Sequence, residues 1–299
     1  MKLLLVGDVH LRASSPSKRV DDFPAVQEAK LSEVFEIGKE FEAPILFTGD
    51  LFDSPSPPLS LLAKYIPKFF DYPHDIFTVP GNHDIYGASL STVPRSGLGV
   101  LEAAGAVKIL GHASTRLGDF NLFGHSYMHD ERPTPISGEK NILVSHEMVL
   151  VDKIWREQED YIFADDYLVL HSGWDLILCG HYHYSFEKKT GSRWVVNPGA
   201  LVRIKASKGD KALRPGVLIY DTEAKTVVRQ ELSFEPAEKV FANEVSQPKV
   251  EDSVDKIVSS LEGEIVSGTF SETLVKALDG CRGSVKDLIL SYAEECGYE

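Results

Sequence analysis

Short apolar segments that stop at a polar residue or a glycine recur along this chain, and they constrain its fold more than any other feature. Six of them are Leu3–Val6, Ile45–Thr48, Ile76–Val79, Ile142–Val144, Leu176–Leu178 and Trp194–Val196. Near-continuous apolar runs of this length are typical of strands that are buried on both faces of a sheet. The sequence therefore predicts a sheet core that is covered on both sides.

Two amphipathic segments separate the first three predicted strands. Residues Phe23 to Phe41 repeat apolar side chains near helical spacing, and a second predicted helix runs from Leu59 to Phe70. Helix signals become sparse after about Phe120, where further strands are predicted at Phe120–Phe123, Val217–Tyr220 and Val227–Leu232. The first half predicts an α/β fold, and the later strands predict a second sheet packed on the first.

The composition of the chain changes after about residue 233. Residues 1–233 form the predicted core domain, residues 234–250 a predicted linker with two prolines, and residues 251–299 a predicted acidic segment of two or three amphipathic helices. Residues 250–299 hold eleven acidic and four basic side chains, a local charge of −7 within a total of −14. Half of the net negative charge is therefore expected to lie away from the core.

Composition excludes several classes of protein. A chain of 299 residues with 43% hydrophobic content is long and apolar enough to exclude a largely disordered protein. No run approaches the roughly 18 apolar residues of a membrane span, so a soluble protein without a membrane partner is expected. Three cysteines without CxxC spacing predict neither a disulfide framework nor a cysteine zinc site. We therefore expect a reducing, cytoplasmic location.

The residues at the strand ends carry the chemistry. Five strand ends contain acidic, amide or imidazole side chains: Asp8-Val9-His10, Gly49–Asp53, Gly81–Asp84, Ser145-His146 and Gly180–His183. Because α/β sheets bind ligands outside the carboxyl ends of their strands, we expect these segments to meet in one crevice. Their oxygen and nitrogen donors suit Mn²⁺, Fe or Zn²⁺, and a carboxylate such as Asp50 can bridge two ions. A single histidine would more simply be a core or surface residue, but five such ends favour a two-metal site.

The ordered motifs DxH, GDxxD, GNHD, SH and GHxH resemble those of the calcineurin-like metallophosphoesterase superfamily, over roughly residues 1 to 200. The resemblance implies a sandwich of two sheets flanked by helices. It implies two sets of metal ligands that share one carboxylate: Asp8, His10, Asp50 and His183 for the first ion, and Asp50, Asn82, His146 and His181 for the second. It also implies that His83 protonates the leaving oxygen or steadies the transition state, and that Asp84 orients His83. Asp53 is expected either to support a ligand histidine or to cap its loop.

Two divalent ions are the implied cofactors, with Mn²⁺ expected first and Fe, Zn²⁺ or Mg²⁺ as alternatives. The implied nucleophile is a hydroxide that bridges the ions and forms near neutral pH. Two ions, two carboxylates (Asp8 and Asp50) and this hydroxide leave the site with a charge of about +1. Such a site can attract a phosphate even within an acidic protein.

The segment from Gly49 to Pro58, GDLFDSPSPP, resembles the second motif of bacterial SbcD, the nuclease subunit of the SbcCD complex. This finer resemblance implies a DNA exonuclease or endonuclease that acts with an SbcC-type ATPase in repair, recombination or replication. It also implies a homodimer, and ATPase docking through the C-terminal helices. Only about 65 residues follow the predicted core, so the family's capping domain is expected to be small or missing, as in a compact phage-type nuclease.

Basic residues flank the predicted crevice. The segment from Arg203 to Arg214 carries five basic residues and one acid, and Arg12 follows the first motif. We expect Arg12, Arg203 and Lys205 to contact the DNA backbone without reading its bases. A solvated charged loop explains the same residues equally well.

Two other functions remain open at this stage. The net acidity and the short cap favour a phosphodiesterase or phosphatase for nucleotides or another small phosphoester. A non-catalytic scaffold is disfavoured, because it has no need to keep all seven metal-ligand positions.

Overall fold

The computed structural model describes residues 1–127, 129, 131–153 and 161–242. The described strands are β1 (Lys2–Val6), β2 (Ile45–Phe47), β3 (Ile76–Thr78), β4 (Lys108–Ile109), β5 (Thr115–Leu117), β6 (Phe120–His125), β7 (Lys140–Ser145), β8 (Val149–Leu150), β9 (Ile162–Phe163), β10 (Leu176–Cys179), β11 (Phe186–Thr190), β12 (Arg193–Asn197), β13 (Gly216–Asp221) and β14 (Thr226–Glu231). The described helices are α1 (Phe23–Glu40), α2 (Leu59–Phe70), α3 (Gly97–Ala103), α4 (Ala164–Leu170), α5 (Lys208–Ala212) and α6 (Ala237–Val240). Two short 3₁₀ helices span Asn82–Asp84 and Leu90–Arg95.

Two mixed six-stranded sheets contain most of these strands. The first has the order β14-β13-β1-β2-β3-β4, with β1 to β4 parallel and β13 antiparallel to β1. The second has the order β11-β12-β10-β7-β6-β5, with a parallel centre and an antiparallel strand at each edge. Strands β8 and β9 form a separate parallel pair. The predicted fold class, two sheets flanked by helices, is confirmed.

Strand β1 shows why its sequence is apolar from Leu3 to Val6. Leu3 and Leu5 pack in the layer between the two sheets, against residues of β7 and β10 such as Ile142. Leu4 and Val6 pack on the other face, with the apolar side of α1 and α2. Since both faces of the strand are buried, no position alternates with a polar residue.

Helix α1 holds the first strand-end loop in place. Asp22 caps the helix by accepting a hydrogen bond from the backbone N–H of Ala25 at 3.2 Å. The helix also buries Gln27, whose amide nitrogen donates to the carbonyl of His10 at 2.5 Å and whose oxygen accepts from the backbone N–H of Arg12 at 3.1 Å. The backbone on both sides of Leu11 is therefore fastened to this helix.

The compact unit runs from Met1 to Ala242, so it includes residues 234–242 of the segment predicted as a linker. These residues pack on the core because Val240 and Phe241 bury their apolar side chains. The rest of that segment, together with the predicted acidic helices at 251–299, lies outside the described residues. Among the described residues, no helix combines the length and apolar character that a membrane span requires.

A group of residues near Ala242, which we call the arginine cluster, consists of Arg19, Asp21, Arg203 and Phe241. Arg19 makes a two-pronged ion pair with Asp21 at 2.6 and 2.7 Å and donates to the carbonyl of Arg203 at 2.6 Å. Its guanidinium also lies over the ring of Phe241. Arg203 is buried and donates to the carbonyl of Glu235. The cluster joins the loop after β1 to the segment that ends the compact unit.

Candidate metal centre

The carboxyl ends of strands from both sheets meet at one place, as the strand-end motifs predict. The first sheet supplies Asp8 and His10 after β1, Asp50 after β2 and Asn82 after β3. The second sheet supplies His146 after β7, and His181 and His183 after β10. Three groups of acidic and imidazole side chains place their ligand atoms within 4.8 Å of one another: Asp8, His10 and His183; His10, Asp50 and His83; and Asp8, Asp50 and His146.

One half of the centre contains Asp8, His10 and His183. The Nε2 atoms of His10 and His183 face each other at 3.1 Å. Asp8 Oδ2 lies 3.7 Å from His183 Nε2, and Asp50 Oδ2 lies 3.8 Å from His10 Nε2. Two carboxylates and two imidazoles thus converge on one small volume.

The other half contains Asn82, His146 and His181. Asn82 Oδ1 lies 3.0 Å from His146 Nε2 and 2.9 Å from His181 Nδ1. Asp50 Oδ2 lies 3.4 Å from His146 Nε2. The same oxygen of Asp50 therefore faces donors of both halves, which is the arrangement that a carboxylate shared by two ions requires.

The residues present fit divalent cations. Asp8 Oδ2 is a buried carboxylate oxygen that has no hydrogen-bond partner. Such an atom is costly in a folded protein unless it is paired or coordinates a metal. Carboxylate, amide and imidazole donors also form a ligand set typical of Mn²⁺, Fe and Zn²⁺.

Thr48, the residue after β2, orients ligands from both sheets. Its hydroxyl donates to Asp8 Oδ1 at 2.8 Å, and its carbonyl accepts from His146 Nδ1 at 2.8 Å. Because these bonds occupy Oδ1 and Nδ1, Asp8 Oδ2 and His146 Nε2 are left to face the centre. A partner of this kind fixes the tautomer and the orientation of a metal-binding imidazole. Thr48 is not among the predicted site residues, although it is the last residue of the predicted strand Ile45–Thr48.

The backbone at the centre is strained. His10, Asp50 and His181 adopt left-handed conformations, with φ of 51°, 49° and 68°. Residues other than glycine seldom occupy this region, and each instance costs of order 1–3 kcal/mol. Three of the seven predicted ligands therefore depend on the surrounding structure to hold them in position.

Burial also sets the charge of the site residues. It lowers the pKa of His10 to about 3 and that of His181 to about 4, which favours the neutral imidazole that binds metals. Burial raises the pKa of Asp8. Burial opposes ionisation of Asp50 too, but the charge and hydrogen bond of His146 outweigh it and hold the pKa of Asp50 below its usual value.

His83 lies at the edge of the centre, with its ring 4.7 Å from that of His10. Its Nδ1 donates to the carbonyl of Asp53 at 2.8 Å, and its backbone N–H donates to Asp50 Oδ1 at 2.8 Å. The imidazole is therefore oriented by a backbone carbonyl, which the sequence motif does not identify.

Asp84 does not orient His83, contrary to the expectation from the resemblance. Its Oδ2 accepts hydrogen bonds from the backbone N–H groups of Asp50 and Gly81, at 2.8 and 3.0 Å. Burial, together with the nearby charge of Asp50, raises the pKa of Asp84 to about 7. Asp84 thus shapes the strained loop that carries the shared carboxylate. The physical reason is that Asp84 is buried and its Oδ2 is occupied by the backbone N–H groups of that loop.

The three predicted substrate-binding residues are placed differently. Arg12 lies beside the centre, with its Nη1 3.2 Å from Asp53 Oδ2, and Asp53 Oδ1 in turn lies 3.9 Å from His10 Nδ1. Lys205 is exposed. Arg203 is a correction, because its side chain is buried and its guanidinium donates to the carbonyl of Glu235, so it cannot reach a substrate without breaking that contact.

A cavity of about 430 Å³ opens beside His183. Tyr184, the turn at 198–200, and the segment from α5 to Arg214 line it. A second aromatic residue, Tyr127, lies on the other side of the centre, with its ring 5.3 Å from that of His181. Neither tyrosine is among the predicted site residues. Tyr184 directly follows the GHxH motif, and only this position could have indicated Tyr184 from the sequence.

Comparison with known proteins supports the fold. The family model of calcineurin-like phosphoesterases matches residues 1–185. Among solved structures, TT1561 of Thermus thermophilus is 14% identical, with a TM-score of 0.51, over 77% of this chain and 98% of that chain. A novel archaeal phosphodiesterase is 16% identical, with a TM-score of 0.43, over 78% of this chain and 100% of that one. Protein PH1004 of Pyrococcus horikoshii is 13% identical, with a TM-score of 0.44, over 78% of this chain and 88% of that chain.

Of these three structures, only TT1561 bears on the argument, and it concerns the fold alone. No curated protein matches this chain in sequence. The family model, by contrast, covers more than half of the chain, including all seven predicted ligands. The protein belongs to the calcineurin-like phosphoesterase family.

Proposed function

We propose that this protein is a metal-dependent phosphodiesterase whose substrate is DNA. The observation that carries the metal-dependent chemistry is the shared carboxylate, Asp50, whose Oδ2 faces His10 on one side and His146 on the other. Asp8, His10, Asp50 and His183 would hold one ion, and Asp50, Asn82, His146 and His181 the other. When bound, two divalent ions, of which we propose Mn²⁺, supply Lewis acidity and activate water near neutral pH.

His83 is placed to act on the leaving oxygen. Its Nδ1 carries a proton, since it donates to the carbonyl of Asp53. Protonation of Nε2 therefore gives an imidazolium held in one orientation, from which a proton can pass to the departing alkoxide. General acid catalysis of this kind contributes typically 10²–10⁴-fold.

Two groups of cations support a polyanionic substrate. Arg12 lies on one side of the centre, fixed by Asp53, and the exposed part of the basic segment, including Lys205 and Lys208, follows the turn at 198–200 on the other side. Contacts of this type grip phosphates without reading the bases. Together with the resemblance of residues 49–58 to SbcD, they favour DNA over other phosphodiesters.

An SbcC-type ATPase is the partner that we propose for this nuclease. The proposed docking segment is the acidic, amphipathic stretch 251–299, which lies outside the described residues, so this step rests on the sequence pattern. An amphipathic helix can bury its apolar face in a groove of a partner.

The test is a cleavage assay with purified protein, with either Mn²⁺ or EDTA, on linear single-stranded and double-stranded DNA and on bis-p-nitrophenyl phosphate. We expect cleavage of both kinds of substrate with Mn²⁺ and of neither with EDTA. His74→Ala is a matched control, because His74 precedes β3 at the opposite end of the sheet. Hydrolysis of the small ester without DNA cleavage, even after the ATPase is added, would refute the nuclease.

A second function, hydrolysis of a small phosphoester, is favoured by one specific observation. The cavity beside His183 has a volume of about 430 Å³. That is within the roughly 300–1,000 Å³ of small-molecule sites. A small substrate could therefore place its organic group there and its phosphate at the centre. The same assay separates the two functions.

A further inference from the structure

Hydrogen bonds to backbone carbonyls hold the walls of the cavity beside His183. The carbonyl of His183 accepts a hydrogen bond from the backbone N–H of Ala200 at 2.9 Å. Arg229 donates from Nη1 to the carbonyl of Pro198 at 3.1 Å and from Nη2 to the carbonyl of Arg214 at 2.6 Å. Two walls are thereby tied to each other, and one is tied to a predicted metal ligand.

Tyr184 is an aromatic residue that lines this cavity. Its hydroxyl end lies so close to the backbone of α5 that a Cβ atom at Gly209 would come within 2.1 Å of the hydroxyl oxygen. Its ring lies 5.2 Å from that of Tyr182. The helix backbone and the neighbouring ring therefore restrict Tyr184, while part of its surface remains accessible. Leu213 and Pro198 provide apolar surface in the same cavity.

The charged residues of the cavity do not favour a second phosphate. Arg214 is paired with Glu231 at 2.8 Å, and Arg229 already donates to two carbonyls. Glu231 itself adds an acidic group to the lining. An uncharged ring with polar edges suits this combination of aromatic, apolar and paired polar groups better than an anion does.

We propose that this cavity binds a nucleobase of the substrate, with Tyr184 as the stacking surface. The inference rests on the proposed function, because it requires the scissile phosphate to lie at the metal centre next to His183. The base can come from a small nucleotide or from a DNA chain, since both present the same ring. Stacking on an aromatic side chain tolerates any base and strengthens binding by roughly 5- to 150-fold.

A pair of substrates that share the leaving group and differ in the nucleoside tests the inference. Thymidine 5′-(p-nitrophenyl phosphate) carries deoxyribose and a base, and methyl p-nitrophenyl phosphate carries a methyl group in their place. The quantity to measure, with Mn²⁺, is the ratio of kcat/KM for the thymidine ester to kcat/KM for the methyl ester. We expect Tyr184→Ala to lower this ratio about tenfold, mainly through KM, and Tyr184→Phe to keep it within about twofold because the ring remains.

Thymidine alone gives a readout that needs no turnover of a nucleotide. As a competitive inhibitor of methyl ester hydrolysis, it should bind about tenfold more weakly to Tyr184→Ala than to the unaltered protein. Phe70→Ala is the matched control, because Phe70 is an exposed aromatic residue on α2. Circular dichroism at the assay temperature checks that Tyr184→Ala is folded, and Tyr184→Phe tests the ring independently of that outcome.

The outcomes separate the inference from the function on which it rests. If the unaltered protein hydrolyses neither ester with Mn²⁺, the proposed function fails. If it hydrolyses both and Tyr184→Ala leaves the ratio unchanged, the nucleobase cavity is refuted while the phosphodiesterase stands. An oligonucleotide identifies the source of the base: an equal loss on DNA and on the thymidine ester indicates a DNA chain, and a loss on the thymidine ester alone indicates a small nucleotide.

Discussion

The metal centre and the arginine cluster both bury charged side chains, but they differ in how completely those side chains are paired. In the arginine cluster, Nε, Nη1 and Nη2 of Arg19 all donate to oxygens of the protein. In the metal centre, Asp8 Oδ2 has no hydrogen-bond partner, and nitrogens of His10 and His183 face each other. Removing one partner of a paired buried charge destabilises the fold, whereas a buried charge without a hydrogen-bond partner marks a place for a ligand.

The largest effect should follow from altering Asp50, the carboxylate shared by both halves of the centre. We expect Asp50→Asn to lower kcat/KM on bis-p-nitrophenyl phosphate by about 10⁴-fold, because both ions lose a charged ligand. Metal content per chain, measured by mass spectrometry, should fall in parallel. Asp75→Asn, an exposed change at the other end of the sheet, is the control. Retained activity in Asp50→Asn would show that the shared carboxylate is not needed.

A variant of His83 distinguishes the role of a proton donor from that of a metal ligand. We expect His83→Ala to lower kcat by about 10³-fold, the middle of the range for general acid catalysis. Metal content should stay at the level of the unaltered protein. Loss of metal together with activity would instead make His83 a ligand, and the role assigned to it here would be wrong.

A variant of Arg19 tests the arginine cluster. We expect Arg19→Ala to lower the free energy of unfolding by about 3 kcal/mol, because it leaves Asp21 unpaired and removes a bond to the carbonyl of Arg203. Urea denaturation in EDTA measures this effect apart from metal binding. Asp50→Asn should destabilise much less under the same conditions, since it removes a buried charge. Equal destabilisation by the two changes would contradict the distinction between paired and unpaired clusters.

Thr48 should act on the metal centre from outside it. We expect Thr48→Val to weaken metal binding by about 10- to 100-fold, because Asp8 loses the hydroxyl that orients it. Thr48→Ser keeps the hydroxyl and should restore most of the affinity, which a titration with Mn²⁺ can follow. If Thr48→Val binds metal as tightly as the unaltered protein, the hydroxyl of Thr48 does not orient Asp8.

The smallest effect should distinguish Lys205 from Arg203. We expect Lys205→Ala to weaken DNA binding only a few-fold and to reduce the slope of log K against log[salt] by about one, as for the loss of one phosphate contact. Arg203→Ala should destabilise the fold and leave the slope unchanged, because its guanidinium is buried and donates to the carbonyl of Glu235. A binding series from low to moderate salt measures both slopes. A lowered slope in Arg203→Ala would instead show that Arg203 contacts the substrate.

The elements that the sequence predicts correctly are those with strong local patterns. Helix α2 begins and ends at the predicted residues, and β1 differs from its prediction by one residue. The prolines of 234–250 are a local signal, whereas the burial of Val240 and Phe241 depends on a surface formed by distant residues, which the sequence pattern does not reveal.

The candidate site shows the same difference between local sequence patterns and contacts of distant residues. The identity and order of the seven candidate ligands come from the sequence, through the recognisable strand ends on which they lie and the resemblance of their motifs to the family. The partners of those residues are not visible. Asp84 lies beside His83 in the chain, yet the carbonyl of Asp53, 30 residues away, orients the imidazole.

The sequence by itself thus determined the fold class, the candidate ligands and the kind of chemistry, because strand periodicity and motif spacing are properties of short segments. Only the tertiary structure decided which charged groups are paired, that Arg203 is structural, that Thr48 orients Asp8, and that a cavity with Tyr184 lies beside His183. These features depend on contacts between segments far apart in the chain, such as His10 with His183, 173 residues away. Packing and desolvation at such contacts arise only once both sheets have come together.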